Sequence, residues 1–218
     1  MESGAHQTDG ASTEFEIDKP FSSLLSTTRD VLFSPQRFFD ELPADGPLGA
    51  PVLYFLICSA ITAVINVLAT LTFLAVPAGI AVATGSLDVG LLIRVLTVFV
   101  LASLVVLPVS FVAGFFASVP VLHAFIRLIA GRDQNGLPAT LRVSCYAVGA
   151  PVAVAWIPLA GILVVFYGFY LQTTGLKRVH RISTGRSLGA SVILVALLLT
   201  LAAVVAVYDY SIIREAMK

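Results

Sequence analysis

The sequence predicts an all-α, polytopic membrane protein with five transmembrane helices, preceded by an amphipathic interfacial helical segment. Hydrophobic residues make up 58% of the 218 positions and charged residues only 12%, which is too apolar for an ordinary soluble domain. Two runs without any charged residue, residues 95–126 and 143–176, each exceed the roughly 20 residues that cross a bilayer. Residues 1–45 hold nine acidic and three basic side chains, so the net negative charge lies at the N-terminus.

Residues 1–20 are polar, acidic and small, and predict a disordered cytoplasmic tail. They bury too little apolar surface to offset the conformational entropy lost on ordering. They also lack a basic stretch followed by an apolar one, so no cleaved signal peptide is predicted. The first crossing is therefore expected to act as its own insertion signal.

Residues 21–50 are predicted to form amphipathic interfacial helices followed by a linker, because apolar residues recur there at helical spacing. Ser34 suits an N-cap and Pro35 suits the first position of a second short helix. Phe38 and Phe39 lie on one face of that helix. The segment fits a membrane interface or a site docked against the spans, and a soluble helix leading into the first span is the alternative. Adjacent phenylalanines this close to a crossing favour lipid contact.

The first predicted span covers residues 51–74, and Asn66 lies deep within it. Asn66 could contact a substrate or make a helix-to-helix hydrogen bond. The second span, about residues 91–129, is predicted as one long tilted or kinked helix, with Pro108 and Pro120 as kink candidates. Two crossings in this run would have to reverse at Pro108 with essentially no loop.

The charge-free run of residues 143–176 would be about 51 Å long as one straight helix, which is too long for a single crossing. A membrane hairpin with spans at about residues 139–156 and 158–176 fits the length of the bilayer core. Pro158 suits the first position of the second helix, and Trp156 suits the interface. Three glycines recur every seven residues along that second helix: Gly161, Gly168 and Gly175. They are expected to keep one face smooth for packing.

The last span is predicted at about residues 187–208, followed by a short C-terminal tail, residues 211–218. With a cytoplasmic N-terminus, the inside segments hold ten basic residues and the outside segments three. The positive-inside rule therefore predicts an external C-terminus. The loop after the hairpin contributes four of the inside charges: Lys177, Arg178, Arg181 and Arg186. These could contact anionic lipid head groups or serve only as a topology determinant.

Three short motifs carry a family resemblance. They are S-P-Q-R-F-F before the first span, R-V-x-x-Y-x-x-x-x-P at residues 142–151 and I-P-x-x-G at residues 157–161. Their defining residues are Pro35, Phe38, Phe39, Arg142, Tyr146, Pro151, Pro158 and Gly161. Each motif is loose, and their arrangement is more specific than any one of them. Together with the basic cytoplasmic loop they resemble the Yip1 family of five-span membrane proteins over roughly residues 29–208.

The resemblance implies a five-span fold and a non-enzymatic protein, and it supplies no catalytic residues. Eukaryotic members of the family are associated with small Rab-type GTPases, vesicle traffic and membrane shaping. A small GTPase partner is therefore implied by family analogy alone. The compact chain with its short tail is more similar to the prokaryotic members, which implies the cell membrane as its location.

The residues themselves show no pattern of catalytic or metal-binding chemistry. No glutamate lies between Glu41 and Glu215, and Asp88 and Asp133 both fall in predicted loops. The three histidines, His6, His123 and His180, lack the spacing of a metalloprotease or an oriented nucleophile pair. No phosphate-binding glycine loop is present. We therefore expect no enzyme activity, cofactor, metal site or nucleic-acid partner.

Two classes of function remain. The first is a membrane scaffold or interaction protein that acts through its cytoplasmic surfaces, with the bilayer, other membrane proteins or further copies of itself as partners. The second is a small-solute transporter or channel acting as an oligomer, with Asn66, hydroxyl groups and kinked helices along its path. Five spans do not divide into equal repeats and no internal duplication is visible, which favours the first.

Overall fold

The structure is a computed structural model that describes residues 14–86, 88–131, 135–157 and 160–216, without the side chains of residues 160–162 and 201–216. Within these ranges all regular secondary structure is helical, so the all-α prediction is confirmed. The helices are α1 (Pro20–Phe33), α2 (Pro35–Glu41), α3 (Gly49–Ala83), α4 (Val89–Leu101), α5 (Leu107–Ala130), α6 (Leu137–Val152), α7 (Ala160–Val179) and α8 (Thr184–Ala216).

Helix α6 is the centre of the described fold. It packs against α1, α3, α5 and α7, and most of its side chains are buried. A helix surrounded by other helices needs small residues where neighbours approach closely. Gly149 is such a position, because a Cβ atom there would lie 3.0 Å from the ring of Tyr54. The absence of a side chain at Gly149 therefore allows α3 to pack closely against α6.

Helices α1 and α2, with residues 14–19, form a layer that we call the N-terminal cap. Both helices begin with a proline, Pro20 and Pro35, whose missing N–H is not needed in a first turn. The cap packs on α6 and α7. The prediction of disorder for residues 1–20 is wrong for its described part, residues 14–20, because Phe15 is 3% exposed. Residues 1–13 lie outside the described residues.

Phe38 and Phe39 are each 1% exposed and lie in the protein core, so the expectation that favoured lipid contact for them is wrong. Phe38 packs edge-on against Phe39 and against Tyr146, with ring centroids 5.4 and 5.0 Å apart. Gly175 of α7 leaves room for the ring of Phe39. Two buried aromatic rings contribute more apolar burial inside the protein than at a half-polar interface.

The apolar residues of α1 do not all face the protein core, although their helical spacing predicts one apolar face. Its buried residues are Ser23, Thr27 and Val31. In contrast, Phe21 is 86% exposed and Leu25 is 75% exposed. The most buried positions of α1 are therefore small and partly polar, Leu24 and Leu32 pack at the edge of the core, and Phe21 and Leu25 lie on the outer face of the cap.

Two stretches are long and apolar enough to cross a membrane among the described residues. One is α3, with 35 residues, and the other is Val89–Ala130, with 42. At 1.5 Å per residue they measure about 52 and 63 Å, compared with about 30 Å for a hydrocarbon core. The remaining helices do not meet both requirements over the described residues. Length and apolarity thus support a membrane protein and leave the count of five crossings as a proposal.

The second stretch is a continuous helical path with one irregular turn. A π-helical segment, Ala102–Val106, joins α4 to α5, and the N–H of Leu107 bonds the carbonyl of Ala102, five residues earlier. Pro108 follows at once. Its ring clashes with the carbonyl four residues before it in a regular helix, and the wider turn relieves that clash. Pro120, the other predicted kink, lies inside α5 without such an interruption.

Helices α6 and α7 pack against each other at the place where the sequence predicts a membrane hairpin. Helix α6 ends at Val152, earlier than the predicted residue 156, and residues 153–157 form turns. The hydroxyl of Thr62 donates to the carbonyl of Val152 at 2.6 Å. That bond satisfies a carbonyl that the helix end would otherwise leave unpaired. Pro158, the predicted first residue of the second arm, lies outside the described residues.

The glycines on the predicted smooth face of α7 differ in how closely neighbouring side chains approach them. At Gly175 a Cβ atom would lie 2.6 Å from Val143 and 2.9 Å from Phe39, closer than packed atoms tolerate. At Gly168 the nearest atom would be 3.7 Å away, on Pro151, which is ordinary contact. Gly161 lies in α7, and its side-chain position is outside the described part. Close packing therefore requires glycine at position 175.

We expect Gly175→Ala to lower the free energy of unfolding by about 1–3 kcal/mol, because the new methyl group overpacks the contact between α6, α7 and the cap. Gly168→Ala is the matched control, since it places the same methyl group on the same helix face without a clash. It should stay within about 1 kcal/mol of the wild type. Thermal unfolding of both variants in detergent measures the difference, and equal stability of the two would contradict this account.

Candidate functional site

An ion pair between a buried arginine and a partly buried glutamate connects the N-terminal cap to the central helix. Arg142 on α6 is 1% exposed, and its Nη1 atom donates to both carboxylate oxygens of Glu14, at 2.6 and 2.8 Å. Its Nη2 atom donates to the carbonyl of Pro47 at 2.9 Å. Removing one member of a buried pair costs about 3–5 kcal/mol, because the remaining charge is left without compensation. Arg142 therefore requires an anionic partner.

Tyr146 lies one helical turn after Arg142 and completes the carboxylate site. Its hydroxyl donates to Oε1 of Glu14 at 3.2 Å. Its ring packs between those of Phe38 and Tyr54, with centroids 5.0 and 5.1 Å away. The spacing of four residues places Arg142 and Tyr146 on one face of α6, so both reach the same carboxylate.

The loop before α3 passes close to the guanidinium group of Arg142. Gly46 has a φ angle of +136°, a conformation that L side chains rarely adopt. A Cβ atom at this position would also lie 2.9 Å from Nη2 of Arg142. Glycine therefore gives the loop both the backbone conformation and the space that bring the Pro47 carbonyl to Arg142.

Further polar contacts connect the cap to α3 and α7. Arg178 at the end of α7 donates to both carboxylate oxygens of Asp40 in α2, at 2.8 and 2.5 Å. The Thr28 and Tyr54 hydroxyls lie 2.8 Å apart, and the hydroxyl of Tyr167 donates to the carbonyl of Leu32. The cap is thus held at both ends by charge and along its length by hydrogen bonds.

The structure brings some residues of the three sequence motifs together and not others. Pro35, Phe38, Phe39, Arg142, Tyr146 and Pro151 are all buried. The first five surround the contact between the cap and α6, whereas Pro151 lies farther along α6 and contacts α7 near Gly168. Pro158 and the side chain at position 161 fall outside the description. The structure therefore brings the first two motifs together, although about 100 residues separate them in sequence.

The four basic residues after the hairpin are not equivalent. Arg178 is paired with Asp40, as described above. Arg181 and Arg186 are exposed in and after the turn that joins α7 to α8, and Lys177 is half-buried. Arg181 has a φ angle of 52°, which marks the tight reversal of the chain at this point. An anion approaching this end of the fold would meet Arg181 and Arg186 first.

Two histidines share one hydroxyl group near the same end of the fold. Oγ1 of Thr140 lies 2.8 Å from Nδ1 of His123 and 2.9 Å from Nε2 of His180, so it joins α5, α6 and the end of α7. Burial, followed by the neighbouring His123, lowers the pKa of His180 to about 4. His180 is therefore neutral at physiological pH, and this contact is a structural connection between helices.

A cleft of about 460 Å³ lies between α3, the π-helical segment, α5 and the end of α6. Its surface is mostly apolar, and its polar lining residues are Ser59, Thr62, Asn66, Thr70 and Ser103. The Asn66 side-chain amide donates to the Thr62 carbonyl of its own helix, so the predicted helix-to-helix bond is made by Thr62 instead. Among the described residues that line the cleft there is no Asp, Glu, Lys, Arg or His. Over the described part of the chain, no group of three or more metal-ligating side chains occurs.

Glu14 and Phe15 are the site residues that sequence reasoning missed. The only signal for them is a pair of apolar residues, Phe15 and Ile17, within an otherwise polar stretch. Nothing local identifies Glu14 as the partner of an arginine 128 positions later. This pairing depends on the tertiary fold alone.

The family model described as the Yip1 domain matches residues 29–206 of the chain. The chain belongs to the Yip1 family. The resemblance inferred from the sequence motifs is thereby confirmed. The matched region of this Yip1 protein includes Arg142 and Tyr146 but begins after Glu14, so the carboxylate of the ion pair comes from outside the family domain. No curated protein and no solved structure matches the chain.

We expect Glu14→Gln to lower the free energy of unfolding by about 3 kcal/mol, because Arg142 would stay buried without a counter-charge. The matched control is Glu41→Gln, which removes a carboxylate from the surface pair with Arg37, whose side chain is 79% exposed. The control should leave stability unchanged, since water screens that pair. Chemical denaturation in detergent compares the two variants. A Glu14→Gln protein as stable as the control would mean that water compensates Arg142.

Proposed function

We propose that this Yip1 protein is a non-catalytic membrane scaffold whose cytoplasmic interaction surface is the N-terminal cap and the basic turn beside it. The observation that carries the proposal is the attachment of the cap to α6 and α7 through Glu14–Arg142 and Asp40–Arg178. A layer fixed in this way holds a defined surface next to the membrane. The described residues of the cap contain no arrangement suited to catalysis.

Five crossings remain the best account of the membrane domain. Helix α3 and the joined α4–α5 path supply two crossings, and α8 with 33 residues has the length for another. Helices α6 and α7 supply the other two as a hairpin, with 16 and 20 residues. The shorter arm is compatible with crossing because protein, rather than lipid, surrounds α6 on most sides.

The charge distribution supports a cytoplasmic N-terminus. The cap and the turn with Arg181 and Arg186 are at the same end, because Arg178 at the end of α7 bonds Asp40 of the cap. Basic residues concentrate on the cytoplasmic side of membrane proteins. We propose that Arg181 and Arg186 also contact anionic head groups. Loss of co-purified anionic lipid in Arg181→Gln/Arg186→Gln, and not in Arg94→Gln at the opposite end, would support that contact.

The proposed orientation predicts opposite accessibility for two introduced cysteines at exposed serines. In intact cells, an impermeant maleimide should label Ser86→Cys and should reach Ser183→Cys only after the membrane is opened. The native Cys58 and Cys145 are buried and should not react. A reporter fused after Lys218 should be external. A cytoplasmic C-terminus would mean an even number of spans and would exclude the hairpin.

The cleft around Asn66 favours the second candidate, a small-solute transporter or channel. It lies beside the π-helical segment, and irregular helices at membrane depth are typical of transporter sites. However, coupling to protons or cations usually relies on an ionisable group within the spans, and the cleft lining contains none. We therefore rank the scaffold first.

Purified protein in liposomes distinguishes the two candidates. We expect no uphill accumulation of solute when a proton or sodium gradient is imposed, because no group lining the cleft can bind and release a proton near neutral pH. Liposomes without protein are the control for leakage. Accumulation that collapses with the gradient, and that Asn66→Leu abolishes, would overturn the scaffold proposal.

A further inference from the structure

We propose that the surface formed by Arg142, Tyr146 and Tyr54 is a receptor for an acidic peptide in which a phenylalanine follows a glutamate. Glu14 and Phe15 are then the chain's own copy of that ligand, and they block the receptor until a partner protein supplies the same chemistry. This inference rests on the proposed function, since it gives the kind of partner that the cap region would bind.

The receptor is held in place without help from residues 14–19. The ring of Tyr146 packs between Phe38 and Tyr54, which belong to α2 and α3. Arg142 is held by the Pro47 carbonyl in the loop before α3. Loss of the segment would therefore leave an ordered pocket with a buried positive charge, and such a pocket favours an incoming carboxylate.

Recognition of the segment depends on two adjacent side chains. The Glu14 carboxylate receives both bonds from Arg142 and a third from Tyr146. The next side chain, Phe15, is buried, and its ring centroid lies 5.8 Å from that of Tyr54. In contrast, residues 16–20 are exposed. A charge and an aromatic ring on consecutive residues thus define what the receptor selects.

The present ligand leaves part of the guanidinium group unused. Both carboxylate oxygens bond Nη1 of Arg142, and its Nε atom is buried without a hydrogen-bond partner among the described residues. Nε and Nη2 lie on the same side of the guanidinium group, away from Nη1. A carboxylate that bonded Nε and Nη2 together would form the two-pronged arrangement that gives stronger and more specific pairing. A better-fitting external peptide can therefore compete with Glu14.

The short connection to α1 explains how a weaker ligand can still occupy the receptor. The N–H of Glu16 donates to the Ser23 hydroxyl at 2.6 Å, and a turn at residues 16–19 leads directly into the helix. A tether this short gives its ligand a high effective concentration, on the order of millimolar. An external peptide must overcome that advantage, so the wild type should bind it weakly.

The test uses the full chain with Glu14→Ala and Phe15→Ala together, which empties the receptor. The probe is a fluorescent peptide with the sequence of residues 8–19, and the controls are the same peptide with Gln at position 14 or Ala at position 15. We expect the double variant to bind the probe about tenfold or more tightly than the wild type does, and about tenfold or more tightly than it binds either control peptide. Adding Arg142→Gln to the double variant should abolish binding.

Thermal unfolding gives a second readout that does not require a fully stable variant. The probe should raise the unfolding temperature of the double variant, and the Gln peptide should not. Equal effects of the Glu and Gln peptides, or binding of vesicles containing phosphatidylglycerol without binding of the probe, would overturn the proposal. If the probe does not bind, the receptor proposal is wrong and the cysteine labelling pattern is unaffected. If the proposed membrane topology is wrong, the labelling pattern changes and peptide binding can still be measured.

Discussion

The buried guanidinium group of Arg142 is the constraint on which the rest of the N-terminal cap depends. A positive charge that is 1% exposed is tolerated only with an anion beside it. Glu14 supplies that anion from outside the family domain, and the neighbouring Tyr146 hydroxyl and Pro47 carbonyl complete the set of polar partners. The position of the N-terminal segment follows from this requirement.

The aromatic side chains beside the ion pair affect how strongly Arg142 and Glu14 interact. Phe15, Phe38, Tyr54 and Tyr146 are buried beside the ion pair and reduce the contact of Arg142 with water. In such surroundings the hydrogen bonds to the carboxylate are stronger than in water, but so is the penalty for losing one of them. The segment with Glu14 and helix α6 are therefore coupled, because loss of Glu14 leaves Arg142 without a counter-charge.

Conformational constraints at glycine support this arrangement at two points. Gly46 lets the loop before α3 pass close to Arg142 with a positive φ angle, and Gly175 leaves space for the ring of Phe39. A side chain at position 46 would strain the backbone and displace the guanidinium group, and one at position 175 would overpack Val143 and Phe39. The π-helical segment before Pro108 also relieves a local backbone constraint. It accommodates the proline ring while the helix continues from α4 into α5.

The helical class, the membrane character and the family can be predicted from the sequence, because these follow from long apolar runs and from the order of short motifs. The helix start at Pro35 and the reversal near Trp156 can be predicted as well, since they depend on local backbone restrictions. In contrast, the contact of Glu14 with Arg142, the burial of Phe38 against protein and the bond from Thr62 to the end of α6 depend on the folded chain. An apolar side chain lowers its free energy against lipid or protein alike, and a carboxylate can pair with any nearby cation, so the choice depends on which surfaces the folded chain brings within reach.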